Sequence, residues 1–238
     1  MESIMPGAVV PISLVSCPGV TVNKLRLDLG CGGNKRVGFT GIDSIKFPGV
    51  DIVCDLVEPR YDELPEGFSE DAPLLRWILK SCERRVIGYK SWPWADCSVA
   101  EAHSSHFVEH LTPKERIHFV NELYRVLVPG GKCQIIVPHW ASCRAYGDPS
   151  HQWPPVSEFT MYYLKREWRL GNPAKGLGAN APHTDAAHRP DGFKCDFDAV
   201  WGYSMHPTLT LKHQDVQQHA FAWHKEAIQD LIATLTKV

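Results

Sequence analysis

A run of glycines behind an alternating apolar segment, LDLGCGGNK (Leu27 to Lys35), is a stretch of this chain suited to chemistry. Glycine lets the backbone turn tightly and approach a ligand with no Cβ in the way, and such turns hold parts of nucleotides. A dinucleotide turn spaces its glycines as GxGxxG, but here Gly30 and Gly32 are followed by Lys35 at the third position. A P-loop needs GxxxxGK and then Ser or Thr, which is absent, so NAD and ATP are both disfavoured. A second cluster lies in HWASCRAYGDPSHQWPP, which offers His139, Arg144, Tyr146, Asp148 and His151 in one short loop. Asp148 and His151 could form a carboxylate-oriented imidazole base, or Asp148 could cap local amides in a DPSH turn. His103, His106 and His110 lie at spacings of three and four, which on a helix would share a face and invite a metal. The segment changes from strand to turn there, which scatters them. No metal site is expected, and His106 is read as a cofactor- or substrate-edge residue, counted among the catalytic candidates.

These groups need strands that end beside them. KLRLDLG (Lys24 to Gly30) alternates Leu25, Leu27 and Leu29 into a glycine turn and predicts the first strand. FTGID (Phe39 to Asp43) and DIVCDL (Asp51 to Leu56) predict the second and third, each ending close to an Asp. So little chain separates the first two that their helix must be short, although a parallel crossover ordinarily takes ~10 or more residues. Residues 57–93 are the least regular part and read as an inserted lid, with Leu74, Leu75, Ile78, Leu79 and Cys82 at helical spacing. SVAEAHSSHFVEHL (Ser98 to Leu111) begins as a strand and ends as a turn. TPKERIHFVNELYRVLVPGG predicts a helix with Thr112 as N-cap, Pro113 at the first position and Glu115 three on from the cap. Ile117, Val120, Leu123, Tyr124 and Leu127 make its apolar stripe, Pro129-Gly130-Gly131 stops it, and KCQIIVPH is the next strand.

Residues 140–195 read as a substrate cap: a loop, a short aromatic helix, and a Gly/Pro/Ala/His loop carrying His183, Asp185, His188 and Asp191, read as a mobile lid without metal. Trp140, Trp153, Phe159, Tyr162, Tyr163 and Trp168 either wall a planar acceptor or form the core of that cap. KCDFDAVWGYSMH and TLTLKH are expected to pair as antiparallel strands, and Val216 to Val238 to close the chain as a helix.

Asp28-Leu29-Gly30-Cys31-Gly32-Gly33-Asn34 resembles motif I of class I S-adenosylmethionine (SAM) dependent methyltransferases, DxGxGxG, with Asn34 in place of the last glycine. Asp43, followed by Ser44, occupies the place of the family's acidic residue that accepts hydrogen bonds from both ribose hydroxyls. Cys54-Asp55-Leu56 looks like the segment that lines the adenine, and WPWADCSVAEAHSSHFVEHL like the fourth-strand region, with Glu109-His110 resembling the group's EHL. ELYRVLVPGGKCQIIVPH closely resembles the helix, PGG turn and fifth strand of the group called methyltransferase type 11. Bacterial and phage proteins similar in motif I also carry a D-P-x-H loop. The resemblance implies a Rossmann-like α/β fold: a mainly parallel sheet with an antiparallel C-terminal hairpin, a short first helix and inserted cap elements. It implies SAM as cofactor, held by Asp28, Gly30, Cys31, Gly32, Asn34, Asp43, Ser44, Asp55, Leu56 and His106. His151, Asp148 and His106 are the catalytic candidates.

At 238 residues the chain suits one domain, 1–238, with an irregular N-terminal arm over 1–22. No Lys or Arg precedes Asn23, and Pro6, Pro11 and Pro18 interrupt the apolar run, which disfavours a signal peptide; no run is long enough to span a membrane. Eight scattered cysteines without a CxxC pair suit a reducing, cytoplasmic setting. With 25 basic against 27 acidic side chains there is no basic field for a polyanion, and no DPPY-like motif stands where SSHF does (Ser104 to Phe107). The expected partner is a small-molecule methyl acceptor; a nucleic-acid or protein methyltransferase, or a non-catalytic SAM-binding protein, is the alternative.

Overall fold

The computed structural model describes residues 25–61, 86–180 and 191–238. The arm over 1–22, the helical spacing from Leu74 to Cys82, and His183, Asp185 and His188 lie outside the described residues. The strands are β1 (Leu25–Leu29), β2 (Thr40–Asp43), β3 (Ile52–Val53), β4 (Pro59–Tyr61), β5 (Val86–Tyr89), β6 (Val99–Ser105), β7 (Leu127–Pro138), β8 (Phe197–Met205) and β9 (Ile228–Lys237). The helices are α1 (Pro113–Val126), α2 (Glu158–Tyr163), α3 (Arg166–Leu170), α4 (Pro207–Thr210) and α5 (Gln214–Trp223). Seven strands form one sheet in the order β3-β2-β1-β6-β7-β9-β8. Pairings from β3 to β7 are parallel, and β9 runs antiparallel to both β7 and β8. This is the α/β sheet the motifs imply, with its antiparallel pair at the C-terminal edge. β4 and β5 pair separately as an antiparallel ribbon, near the two ends of residues 57–93.

Pleating sorts the side chains into two faces. Leu27, Ala102, Cys133 and Leu235 are paired in one row across four strands, all buried, and α1 packs Phe119, Val120, Leu123 and Val126 into the same core. The next positions along the strands, Arg26 with Glu101 and Lys132, and Asp28 with His103 and Gln134, make polar rows on the opposite face. The N-terminus of α1 is the expected capping box: the Glu115 amide donates to Thr112 Oγ1 (3.4 Å) and the Thr112 amide to Glu115 Oε2 (2.7 Å). The helix ends at Val126, before Pro129, because β7 already begins at Leu127. Its stripe is shifted from the expected one: Ile117 and Tyr124 are only half-buried, while Arg116 and Glu122 are buried.

Three expectations are corrected. No helix forms between β1 and β2. The ten-residue loop Gly30 to Phe39 makes the crossover by itself, pinned where the Gly30 and Cys31 amides donate to Ile42 O (2.9 and 3.0 Å) and the Arg36 amide to buried Asp28 Oδ2 (2.6 Å). TLTLKH is not a strand: its first residues fall in α4, and Leu211 is exposed. The 216–238 segment is helical only to Trp223; Ile228–Lys237 is β9, whose Leu231, Ala233 and Leu235 alternate into the core. The third strand is also shorter than its motif, two residues at the sheet edge.

Gly30 and Gly130 separate two costs of placing a side chain at positive φ. A Cβ at Gly30 (φ 68°) would lie 2.2 Å from Phe107 Cγ, whereas at Gly130 (φ 74°) it would meet nothing within 4 Å. Gly130→Ala should therefore lose about 1 kcal/mol, the left-handed backbone penalty, and Gly30→Ala roughly 3 kcal/mol, because Phe107 must also move. Urea midpoints of the two variants check the order; equal losses would remove the Phe107 contact as the cause.

Candidate functional site

The chain reverses direction across the sheet between β1 and β6: β2 and β3 lie on one side of β1, and the later strands on the other. In such sheets the crevice outside the strand carboxyl ends at this switch point is where ligands sit. The glycine turn closes β1 there. Asp28, 2% exposed, does not reach out of the sheet: Oδ2 accepts the Arg36 amide, and Oδ1 lies 2.8 Å from His103 Nδ1 on the neighbouring strand. It thereby holds the loop down from below, while the Arg36 guanidinium crosses to Gln134 Oε1 (2.9 Å). Gly30 is occupied as a position by Phe107, as above. Gly32 (φ 52°) is open, with no heavy atom within 4 Å of where a Cβ would stand.

Asp43 ends β2 beside this opening. Its Oδ2 accepts the Gly32 amide (2.9 Å) and Oδ1 the Ile45 amide (3.0 Å), so the carboxylate is fixed by two backbone donors and keeps further lone pairs. Lys35 reaches Asp51 (2.9 Å), whose carboxyl is held below its ordinary range by the Gly41 amide and Lys35. Cys31 is half-buried, and burial followed by the negative charge of Asp28 raises its thiol pKa. Asn34 and Ser44 are exposed; the Asn34 amide donates to Cys31 O (3.1 Å). Asp55 is exposed and caps the Val57 amide (2.9 Å). Leu56, 2% exposed, has its side chain in the core and gives its carbonyl to the Trp92 indole (2.9 Å).

His106 stands just beyond β6 in left-handed backbone (φ 53°), its amide donating to Ile136 O (2.9 Å). Its Nδ1 lies 3.2 Å from Oε1 of buried Glu109, and this bond raises its pKa against the opposing effect of burial. The three histidines are scattered as expected: His103 turns to Asp28, His106 to Glu109, and His110 to Ser150 Oγ (3.0 Å). The Asp148 and His151 pair departs from the proposed base. Nε2 and Oδ2 are 3.9 Å apart, beyond hydrogen-bond length, and Asp148 Oδ1 accepts the Ser150 amide (2.8 Å) and hydroxyl (2.7 Å). The imidazole of His151 is oriented instead by Ala145 O (3.3 Å at Nδ1).

Arg116 was not singled out in the sequence. It is buried on α1, and its guanidinium donates to Val108 O, Glu109 O, Gln152 O and Pro154 O, fastening the turn after β6 to the 148–154 loop. A charged side chain three and four residues ahead of Phe119 and Val120, on the buried stripe, is the signal that could have revealed it. Glu158 is the other omission. It receives His139 Nε2 (2.8 Å), the Trp140 indole (3.2 Å) and the Tyr203 hydroxyl (3.0 Å). Since the Ala141 amide donates to His139 Nδ1 (3.2 Å), Nε2 carries the proton that Glu158 accepts. Beside this network, at the carboxyl end of β7, opens a groove of about 590 Å³ walled by Trp140, Tyr146, Trp153 and Phe159. Trp140, Trp153 and Phe159 thus face solvent, while Tyr163 and the partly exposed Tyr162 both pack on Trp168.

No family model and no curated protein matches the chain. Among solved structures it is similar to a SAM dependent methyltransferase from Archaeoglobus fulgidus, at 17% identity and a TM-score of 0.44, over 91% of this chain and 87% of that one. It is similar to the 1,6-didemethyltoxoflavin-N1-methyltransferase of Burkholderia thailandensis, at 14% identity and a TM-score of 0.41, over 90% and 71%. A SAM-dependent methyltransferase from Mesorhizobium loti is similar at 14% identity and a TM-score of 0.37, over 90% of both chains. No helix among the described residues is long and apolar enough to cross a membrane.

The His139 bond, with lesser help from Tyr203, holds the Glu158 carboxyl at about 2, below its ordinary 4.5. A depressed carboxyl stabilises the fold above its unfolded pKa, and that contribution, at most about 3 kcal/mol, is lost as pH falls from about 5 towards 2. Glu158→Gln should be less stable than the parent at pH 7, with the gap narrowed to roughly half or less at pH 3. Urea titrations at both pH values measure this; a gap independent of pH would show that the charge of Glu158 contributes nothing.

Proposed function

We propose that this chain is a SAM-dependent methyltransferase that carries a methyl group to an oxygen, nitrogen or carbon nucleophile of a small molecule. The observation that carries the reading is the placement of the glycine turn: at the strand-order reversal, with the space beside Gly32 open and the Asp43 carboxylate fixed next to it. The residues present fit the cofactor. The backbone of Cys31, Gly32 and Asn34 would meet its amino-acid end, Asp43 its ribose, and Ser44, Asp55 and the backbone at Leu56 its adenosine side. Asp28 and Gly30 act one step removed, by shaping the turn.

Bound SAM supplies a methyl group on a sulfonium, and displacement from it needs in-line alignment and, for a protonated nucleophile, a base. The aromatic walls of the groove at Trp140, Tyr146, Trp153 and Phe159 bind a planar or apolar acceptor by burial of its faces. Of the two imidazoles among the catalytic candidates, His106 fits the task of a base better. Its side chain is 40% exposed at the sheet edge, and Glu109 engages Nδ1, leaving Nε2 for a proton. His151 has 9% of its side chain exposed, without a carboxylate in bonding distance.

Titration calorimetry with SAM and with its demethylated product should show binding of both; absence of heat at millimolar ligand would overturn the reading. Asp43→Ala should weaken that binding by roughly tenfold or more, the worth of a charge-assisted hydrogen bond. Asn34→Gly should leave it unchanged if the departure from the third glycine is harmless. A labelled-methyl screen of small acceptors against DNA and tRNA then reads the substrate class. In that assay His106→Asn, which tolerates the left-handed backbone, should keep SAM affinity and lose ~100-fold or more in turnover; undiminished turnover would remove His106 as the base.

A further inference from the structure

Glu109, His110 and His151 come together from two loops at the carboxyl edge of β6 and β7. One carboxylate oxygen and one ring nitrogen from each imidazole lie within 4.8 Å of one another. The histidine rings stand edge to face with centroids 4.7 Å apart. Glu109 is 4% exposed, and while Oε1 meets His106, Oε2 is buried without a hydrogen-bond partner. A buried carboxylate oxygen left unsatisfied is costly, and where it persists a missing water or ion is a usual explanation.

The hydrogen bonds around the two imidazoles set their tautomers. Ser150 gives its proton to Asp148 Oδ1 at 2.7 Å, so its oxygen accepts from His110 Nδ1–H at 3.0 Å. Ala145 O accepts from His151 Nδ1–H at 3.3 Å. Both rings therefore present a bare Nε2, which is how a histidine is prepared to bind a metal: its other nitrogen is fixed by a neighbouring oxygen. Asp148 Oδ2, 3.9 Å from His151 Nε2 on the exposed side, adds a second carboxylate at the rim. Two imidazoles and a carboxylate are a donor set for first-row divalent ions, with bonds of about 2.0–2.2 Å for Zn²⁺. Movements of about an ångström in these side chains close the distances.

We infer that Glu109, His110 and His151, with Asp148 at the rim, form a binding site for a first-row divalent cation. It runs against the expectation of no metal site, and of the trio His103, His106 and His110 it takes only His110. The cluster escaped that reading because His151 comes from a loop 41 positions beyond His110. The inference stands apart from the SAM reading, since the ion is detected directly.

The test uses the full chain, treated with chelator and titrated with Zn²⁺, and in parallel with Co²⁺ followed by visible absorption. One equivalent of Zn²⁺ should bind with a Kd of about 1 µM or tighter. The Co²⁺ spectrum should show ligand-field bands without thiolate-to-metal charge transfer, which separates this site from Cys31, Cys54 and Cys143. His110→Ala, His151→Ala and Glu109→Gln should each weaken binding at least about tenfold, while His213→Ala, on an exposed helix cap, should not. Should a variant fail to fold, the Co²⁺ spectrum of the parent decides alone. No stoichiometric ion, a thiolate band, or affinity unchanged in folded His110→Ala and His151→Ala would overturn the site.

Discussion

A carboxylate buried in the middle of a sheet has to be met by donors, and Asp28 is met by two that decide the shape of everything above it. One is the amide of Arg36, eight residues ahead, which folds the intervening turn back over the strand end. The other is His103 on β6, which ties the turn to the far side of the crevice. With these contacts the chain passes from β1 to β2 in ten residues and needs no helix for the crossover. What the loop saves in length it spends in polar contacts: Arg36 with Gln134, Lys35 with Asp51, Gly32 with Asp43. The resulting turn is a pinned rim on which the space beside Gly32 stays open.

The opposite bank of the crevice is organised by a second buried ion. Arg116 puts its guanidinium on four carbonyls from two loops, and burial lowers its pKa against the opposing charge of Glu109. Because all four acceptors are backbone, the arrangement fixes loop paths and leaves the side chains of His106, Glu109, His110 and His151 free for other work. Glu158 does the same for the groove, holding His139 and Trp140 from the turn after β7 and Tyr203 from β8 on one carboxylate. The chemistry-bearing residues are thus on loops, and the loops are held by charges inside.

Strand and helix patterns near the N-terminal half were legible where a single period dominated. Leu25, Leu27 and Leu29 alternate, and Thr112, Pro113 and Glu115 announce a helix start; both elements form within a residue or so of the expected limits. The C-terminal end was misread because it carries two periods at once. Ile228, Leu231, Ile232 and Leu235 sit at helical spacing, while Leu231, Ala233 and Leu235 alternate as in a strand. The open edge of β7 settled the matter: β9 pairs with it along Lys132 to Pro138, and β8 then pairs with β9. TLTLKH had the alternation, but Pro207 ahead of it opens a helical turn through Thr210, and the outer edge of β8 stays unpaired among the described residues.

By itself the sequence determined which groups end the strands: the glycine turn, Asp28, Asp43 and the histidines beyond β6, since residue type and local period are carried along the chain. Tertiary structure decided what each of them faces. Asp28 turned inward, Asp148 capped its own turn, and Glu109 met His110 and His151, because burial, the vacancy of a sheet edge and the meeting of distant loops are relations across space that no spacing along the chain encodes.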